Sequence, residues 1–135
     1  MTPEQVIQIK PLVQAYIGDC VYEQYIRTYL ISKPYKNVHD LHRKATAFVK
    51  AGAQAEILLH LQDALTEKEK DVVRRGRNAH PHTVPKNADI GHYHFATGFE
   101  ALIGYLHLTE DFQRLDYILQ KSVEIGEELY GVTRE

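Results

Sequence analysis

The segment Thr97-Gly98-Phe99-Glu100-Ala101-Leu102-Ile103-Gly104 places one carboxylate within a helical run of apolar and small residues. A second segment, Ala15-Tyr16-Ile17-Gly18-Asp19-Cys20-Val21, does the same with Asp19. An acid on an apolar helix face is unfavourable unless it is paired or binds a metal ion. Two such segments in a short chain therefore predict a metal site at the place where two helices meet.

Length and composition predict a single globular domain that spans residues 1–135. The chain is 44% hydrophobic and 25% charged, with a net charge of −2, so composition alone does not indicate a nucleic-acid partner. No apolar run reaches the ~18 residues that a membrane span needs. The first residues lack signal-peptide features, and one cysteine, Cys20, fits a reducing compartment. We therefore expect a cytoplasmic protein with no membrane partner.

Apolar spacing and capping residues predict an all-α chain of six or seven helices. In the second helix, Val13, Ile17, Val21 and Leu30 are expected to form the buried stripe. Gly52 is the expected break between two central helices. After a short first helix, the expected ranges are roughly 12–32, 38–51, 53–65, 67–77, 93–108 and 109–130.

Asp19 and Glu100 are far apart in the chain, so only tertiary packing can bring them together. Two hard oxygen ligands completed by water favour Mg²⁺ or Mn²⁺. Glu23 lies one helical turn after Asp19; it either supports the same site or pairs at the surface with Arg27. The pair His39-Asp40 resembles that of the HD class of metal-dependent phosphohydrolases, but capping of the next helix explains its acid.

Positive charge is concentrated in Arg74-Arg75-Gly76-Arg77-Asn78, just before a proline-containing loop. Cations at a helix C-terminus are favoured by the helix dipole, which is a sufficient structural reason for them. The functional interpretation is phosphate binding, since guanidinium groups beside a glycine can hold a nucleic-acid backbone. The histidines at 80, 82, 92 and 94 are expected to lie in loops or at the surface.

The two acidic segments together resemble the ribonuclease III catalytic domain. That family's first signature reads roughly E-x-L-E-F-L-G-D-A, and its tail is matched here by Tyr16-Ile17-Gly18-Asp19-Cys20. The second reads roughly A-D-x-F-E-A-L-I-G-A, and the segment 96–104 matches it. Leu41-His42 and Gln54-Ala55-Glu56-Ile57-Leu58 resemble the landmarks in between. The order and spacing of these pieces cover nearly the whole chain.

Two departures from that signature point to one branch of the family. Ala15 and Thr97 stand where the family carries further acids, and no double-stranded-RNA-binding domain follows the last helix. With Arg75-Gly76-Arg77-Asn78-Ala79, these features resemble Mini-III ribonuclease, the one-domain bacterial branch. Members of that branch mature the ends of 23S ribosomal RNA.

The resemblance implies an all-α helical bundle that forms a homodimer and holds double-stranded RNA across both subunits. Asp19 and Glu100 would be the catalytic residues and would hold Mg²⁺ or Mn²⁺. Thr97 would donate a hydrogen bond to a water molecule on the ion, and Glu23 would orient another. Tyr16 would insert into the partner subunit. The products would carry 5′-phosphates. A role in ribosomal RNA maturation would also allow a ribosomal protein as an accessory partner.

With no second domain, the catalytic domain must bind RNA by itself, and the loop 79–91 is expected to enter a groove. The candidate RNA contacts are Lys44, Arg74, Arg75, Arg77, Asn78 and Lys86. Two alternatives stay open at this point. One is a catalytically weak or inactive RNA-binding member of the same fold, and the other is a helical protein-interaction module.

Overall fold

A computed structural model describes residues 1–79 and 89–131 of the chain, and within these residues it contains helices and no strand. The prediction of an all-α fold is thus confirmed. One 3₁₀ turn, Gln62–Ala64, follows the fourth helix. The seven α-helices of this part of the chain are α1 (Pro3–Ile7), α2 (Pro11–Ile31), α3 (Val38–Val49), α4 (Ala51–Leu61), α5 (Glu67–Arg77), α6 (Ile90–Leu108) and α7 (Phe112–Tyr130).

Side-chain caps set several helix starts where the sequence predicted them. The hydroxyl of Thr66 accepts from the backbone N–H of Glu69, whose side chain in turn accepts from the backbone of Thr66. Asn37 caps α3 in a simpler way, by accepting from the backbone N–H of Asp40. These contacts satisfy amide groups that the first helical turn leaves unpaired, so short sequence motifs are enough to locate them.

The break between α3 and α4 lies at Lys50, not at the predicted Gly52. Lys50 has extended backbone angles, φ −64° and ψ 153°, and ends one helix while preceding the next. Gly52 lies inside α4.

The buried face of α2 also differs from the prediction. Of the expected stripe only Leu30 is fully buried, while Val13 is 52% exposed. The buried side chains instead follow a spacing of four from Gly18 through Tyr22 and Ile26. Gly18 faces α6 because the backbones of α2 and α6 approach closely there. Larger apolar residues of α2, such as Val13, therefore lie outside this contact.

Helix α6 is the centre of the bundle, and α2, α4 and α5 pack around it. Its side chains from Ala96 to Phe99 and from Ala101 to Leu106 are all buried. Tyr22 of α2 meets Phe99 edge to face, with ring centroids 4.9 Å apart. None of the helices in residues 1–79 and 89–131 has the length and apolar character that crossing a membrane demands.

Glycines allow α6 to touch two neighbours through the backbone. A Cβ atom added to Gly18 would lie 1.8 Å from the carbonyl oxygen of Glu100, and one added to Gly104 would lie 1.9 Å from that of Gln14. On the α5 side, a Cβ atom at Gly98 would lie 2.8 Å from the carbonyl oxygen of Val73. No side chain larger than hydrogen fits at these crossings without moving a helix.

A buried ion pair joins α5 to α7. Arg114 Nε lies 2.6 Å from Glu69 Oε2, and its terminal nitrogen lies 2.8 Å from the other carboxylate oxygen. Burial alone would raise the pKa of Glu69, but hydrogen bonds from Arg114 and from the Thr66 backbone hold it below its ordinary value. The pair is therefore charged at neutral pH and fixes the relative position of the two helices.

The crossing of α2 and α6 gives a test of the fold. We expect Gly18→Ala to lower the free energy of unfolding by about 3 kcal/mol or more, since the new methyl group would overlap backbone atoms that cannot rotate away. Gly52→Ala is the matched control, because the nearest atom to its new Cβ would be 3.5 Å away. It should leave stability unchanged or raise it by up to ~1 kcal/mol. Urea unfolding measures both, and equal stability of the two variants would contradict the close crossing.

Candidate active site

Asp19 and Glu100 meet at the crossing of α2 and α6, although they are 81 positions apart (100 minus 19). Asp19 directly follows Gly18, the residue whose Cα faces the Glu100 backbone. The Asp19 carboxyl group is close enough to raise the pKa of the Glu100 carboxyl group. The predicted convergence of these two acids is thus present in the fold.

The environment of Glu100 is electrostatically unfavourable for a negative charge. Its pKa is raised to about 8, first by burial and then by the hydrogen bond to Asp19 and the charge of Asp19. The side-chain amide of Gln54 acts in the opposite direction, as a hydrogen-bond donor that lowers the pKa. Two carboxylates held this close without a cation repel each other when both are ionised.

The two acids differ in exposure, contrary to the expectation that both lie on apolar faces. Asp19 and its neighbour Cys20 are exposed, whereas Glu100 is half-buried. The reason is the close crossing: it turns Gly18 toward α6, so the next residue projects from the edge of the contact. The pair is consequently open to solvent on the α2 side, where a large substrate can reach it.

The donor set fits a hard divalent cation. Within the described residues no group of three or more histidine, cysteine or acidic side chains could hold a metal ion. The site therefore offers two carboxylates, and water must complete the coordination. Mg²⁺ binds proteins in this way, through one or two carboxylates while keeping several waters. A bound cation would also relieve the repulsion between Asp19 and Glu100.

Glu23 lies on the same open groove as Asp19, along the exposed side of α2. Its carboxylate is also paired with Arg27, at 2.6 Å. Thr97 is buried, and its hydroxyl donates to the backbone carbonyl of Tyr93 at 2.9 Å. Because its proton is engaged inside α6, Thr97 can meet a water only as an acceptor, not as the donor that the sequence suggested.

The cations at the end of α5 lie close to the acids. Gly76 packs on the backbone of Thr97 and Gly98 and on the side chain of Ala101, all within one turn of Glu100. The segment around Gly76 therefore brings its positive charges to the edge of the candidate site.

Among these cations, Arg77 is exposed and its guanidinium stacks 4.3 Å from the centroid of the Phe95 ring. Arg74 pairs with Asp71, Arg75 is half-buried, and Asn78 is exposed at the end of the helix. Stacking holds the Arg77 guanidinium in one place while its hydrogen-bond donors stay in solvent.

Lys44 has a different environment from the one expected for a phosphate contact. Its ammonium donates to the carbonyl of Pro34 at 2.8 Å and lies 3.6 Å from Asp40 Oδ2. Its side chain is only 13% exposed. These contacts explain Lys44 structurally, as a link between α3 and the preceding loop. Lys86 and the stretch 80–88 lie outside the described residues.

Tyr16 is the most exposed large hydrophobic residue of the described chain, at 82%. Val13 and Leu12, earlier on the same helix, are exposed as well. An aromatic side chain in this state, beside other exposed apolar groups, is typical of a contact surface.

Gln54 is the one functional candidate that the sequence did not identify as part of the site. It appeared only as the first residue of a family landmark, yet its amide lowers the pKa of Glu100. The available signal was a single polar residue between Ala53 and Ala55, at the start of a helix made mainly of apolar residues.

Comparison with known proteins gives consistent matches over most of the chain. Residues 13–111 match the Ribonuclease III domain family. A Mini-ribonuclease 3 from Thermoanaerobacter is 48% identical over 128 residues, which cover 95% of this chain and 90% of that protein. One from Symbiobacterium thermophilum is 50% identical over 121 residues, which cover 90% of this chain and 93% of that protein.

A more distant relative of the same name, from Staphylococcus aureus, is 39% identical and covers 89% of this chain and 91% of its own length. A crystal structure of a protein from Fusobacterium nucleatum is 27% identical, with a TM-score of 0.78 over 87% of this chain and 93% of that one. The similarity therefore extends over nearly the full length in both sequence and fold.

Proposed function

Because the chain belongs to the ribonuclease III family and is an endoribonuclease, we propose that it cleaves double-stranded RNA with the help of Mg²⁺, for which Mn²⁺ can substitute. The observation that carries this proposal is the convergence of Asp19 and Glu100 at the crossing of α2 and α6. In this proposal residues 1–135 act as one catalytic domain in the cytoplasm. As the biological role we propose maturation of 23S ribosomal RNA ends, which the resemblance of the two acidic segments to the one-domain branch of the family implies.

Asp19 and Glu100 would hold the cation, which when bound lowers the pKa of a water molecule and offsets charge on the scissile phosphate. The protein contributes the fixed spacing of the two acids, since the backbone contact at Gly18 prevents α2 from moving relative to α6. Glu23, on the same groove, would orient water, and Thr97 would accept from it. Hydrolysis would leave a 5′-phosphate on the product.

The RNA surface would extend from the acids to the end of α5. A-form RNA is recognised mainly through its phosphates, its 2′-hydroxyls and its shape. Arg77, held by Phe95, is the strongest candidate for a phosphate contact, and Arg75 and Asn78 lie beside it. Arg74 and Lys44 already have protein partners, so we expect them to contribute less. Lys86 would act from the loop that follows.

The protein would work as a homodimer in which the exposed face of α2 meets the same face of the partner. Tyr16, Val13 and Leu12 supply the apolar surface for this contact. A dimer would present two acid pairs to one duplex, one for each strand. A ribosomal protein bound to the RNA could serve as an accessory partner by holding the substrate in an A-form helix.

We expect Asp19→Asn and Glu100→Gln each to reduce cleavage of a long RNA duplex by about 10²-fold or more, because a lost metal ligand removes several kcal/mol of transition-state stabilisation. Binding of the RNA should change little. Glu23→Gln should reduce the rate less than either, and Glu124→Gln, an exposed acid on α7, should be neutral. A gel assay with and without Mg²⁺ measures the rates.

Duplex DNA of the same sequence is the substrate control and should not be cut. Full activity of Asp19→Asn at saturating Mg²⁺ would disprove the metal site. Tight RNA binding by a wild-type protein that never cleaves would instead favour the inactive RNA-binding alternative.

We expect the wild type to have about twice the 15.5 kDa chain mass in solution. Tyr16→Asp should shift it toward the monomer, because the new carboxylate would be buried without a partner in the interface. Leu59→Asp is the control, since Leu59 is an exposed apolar residue on another helix. Light scattering at several concentrations distinguishes the states. A monomeric and fully active wild type would rule out the dimer.

We expect Arg77→Ala to weaken binding to RNA duplexes of any sequence. It should also reduce the slope of log affinity against log salt by roughly one unit, as the loss of one phosphate contact requires. Binding is measured in EDTA, so that cleavage does not interfere. Lys121→Ala is the charge-matched control. It removes an exposed cation from α7 and should leave the slope unchanged. Identical slopes for wild type and Arg77→Ala would exclude this contact.

A further inference from the structure

Positive charge is concentrated at the corner where α2 ends and α3 begins. The segment 32–44 has a single acid, Asp40, and four cations: Lys33, Lys36, Arg43 and Lys44. The side chain of Asp40 is only 11% exposed, whereas that of Arg43 is 67% exposed and Lys36 lies at the surface. The acid is withdrawn from solvent, so the surface of this corner is positive although the chain as a whole carries a net charge of −2.

The buried acid fixes the backbone that carries these cations. Asp40 Oδ2 accepts from the backbone N–H of Lys36 at 3.0 Å, and Oδ1 accepts from the Arg43 guanidinium at 2.9 Å. Lys44 closes the same loop through its bond to the Pro34 carbonyl. The side chain of Lys36 remains in solvent, and Arg43 keeps donors that Asp40 does not use. A loop that is already ordered loses little conformational entropy when it binds a ligand.

The exposed side of α2 connects this corner to the acid pair. Arg27 lines two adjoining grooves, one of which contains Asp19 and Glu23 while the other contains His42 of α3. It follows Asp19 by eight positions (27 minus 19), which is about 12 Å along a helix. Its guanidinium pairs with Glu23 at 2.6 Å, but the side chain is exposed and keeps further donors for an anion. A path along the surface therefore runs from the acids past Arg27 to α3.

We propose that Arg27, Lys36 and Arg43, here called the α2–α3 corner, form a second phosphate-binding surface for duplex RNA, separate from the end of α5. A duplex held at the acid pair would continue along α2 to this corner. The inference rests on the proposed function, because RNA is the substrate in that function. A-form RNA is recognised largely through its phosphates, and each phosphate that a cation neutralises adds to both affinity and salt dependence.

Apolar residues beside the corner would suit a protein partner instead, so charge decides between the two. Val38 is 79% exposed, and it lines the groove at Arg27 together with the exposed Ile31. The cores of protein interfaces are depleted of charged residues. This groove, however, has Arg27 and His42 among its lining residues, while Lys36 and Arg43 lie nearby in the chain. The cationic surroundings favour an anionic partner.

The test measures binding of the whole chain to a long RNA duplex in EDTA at several salt concentrations. The double variant Lys36→Ala/Arg43→Ala should reduce the slope of log affinity against log salt by roughly two units, as the loss of two phosphate contacts requires. Lys68→Ala/Lys70→Ala is the matched control, because it removes two exposed cations from the start of α5 and should leave the slope unchanged. A wild-type slope in Lys36→Ala/Arg43→Ala would overturn the proposal and favour a protein partner for this corner.

Single variants keep the test decisive if loss of the Asp40 contact disturbs folding. Lys36→Ala removes only a side chain in solvent, so it should fold as the wild type does and lower the slope by roughly one unit. Arg43→Lys keeps the charge beside Asp40 and should keep the slope. Arg27→Ala should also lower the slope by roughly one unit. If it does not, the duplex does not pass along α2 and the proposed path is wrong.

Arg77→Ala distinguishes failure of this inference from failure of the proposed function. If the wild type shows no salt-dependent binding to RNA, the proposed function is wrong and the role of the α2–α3 corner falls with it. If Arg77→Ala lowers the slope while Lys36→Ala and Lys36→Ala/Arg43→Ala do not, RNA binds at the end of α5 and only the role of the corner is wrong.

Discussion

The contact between the backbones of α2 and α6 is the constraint on which the rest of the structure depends. At Gly18 and Gly104 the two helices leave no room even for a methyl group. Helices usually pack with their axes 8–10 Å apart, separated by side chains. Here the crossing itself sets the distance between Asp19 and Glu100, because one follows Gly18 and the other supplies the carbonyl that Gly18 touches. The backbone positions that carry the two acids are therefore fixed by contact between main chains, not by packing of intervening side chains.

A second close crossing, between α5 and α6, determines where positive charge lies relative to Glu100. Gly76 and Gly98 let α5 approach closely, and the cationic end of α5 then lies within one turn of Glu100. Helix α6 is thus held by α2 and α5 through their backbones, while the Glu69–Arg114 pair fixes α5 to α7. The two close crossings thus place the acid pair of Asp19 and Glu100 beside the cationic end of α5.

Local signals in the sequence predicted the parts of this fold that local chemistry decides. The capping box of Thr66 and Glu69 gave the start of α5, since its contacts lie within one turn. The buried face of α2 could not be obtained in this way, because Val13 is as apolar as the residues that are buried and only the crossing decides which face turns inward. For the site, the chain order of two motifs indicated the acid pair. The hydrogen bond from Lys44 to the Pro34 carbonyl and the effect of the Gln54 amide on the pKa of Glu100 depend on tertiary packing. Composition and spacing do not reveal such packing.

The two positions at which the ribonuclease III signature carries further acids have become packing positions in this chain. Ala15 is 5% exposed and Thr97 is 6% exposed, and both lie close to the helix crossings. A carboxylate at either place would be buried, which is strongly unfavourable whenever no cation is bound beside it. A site with two acids has less negative charge to concentrate before a cation arrives, and it leaves more of the cation's coordination to water.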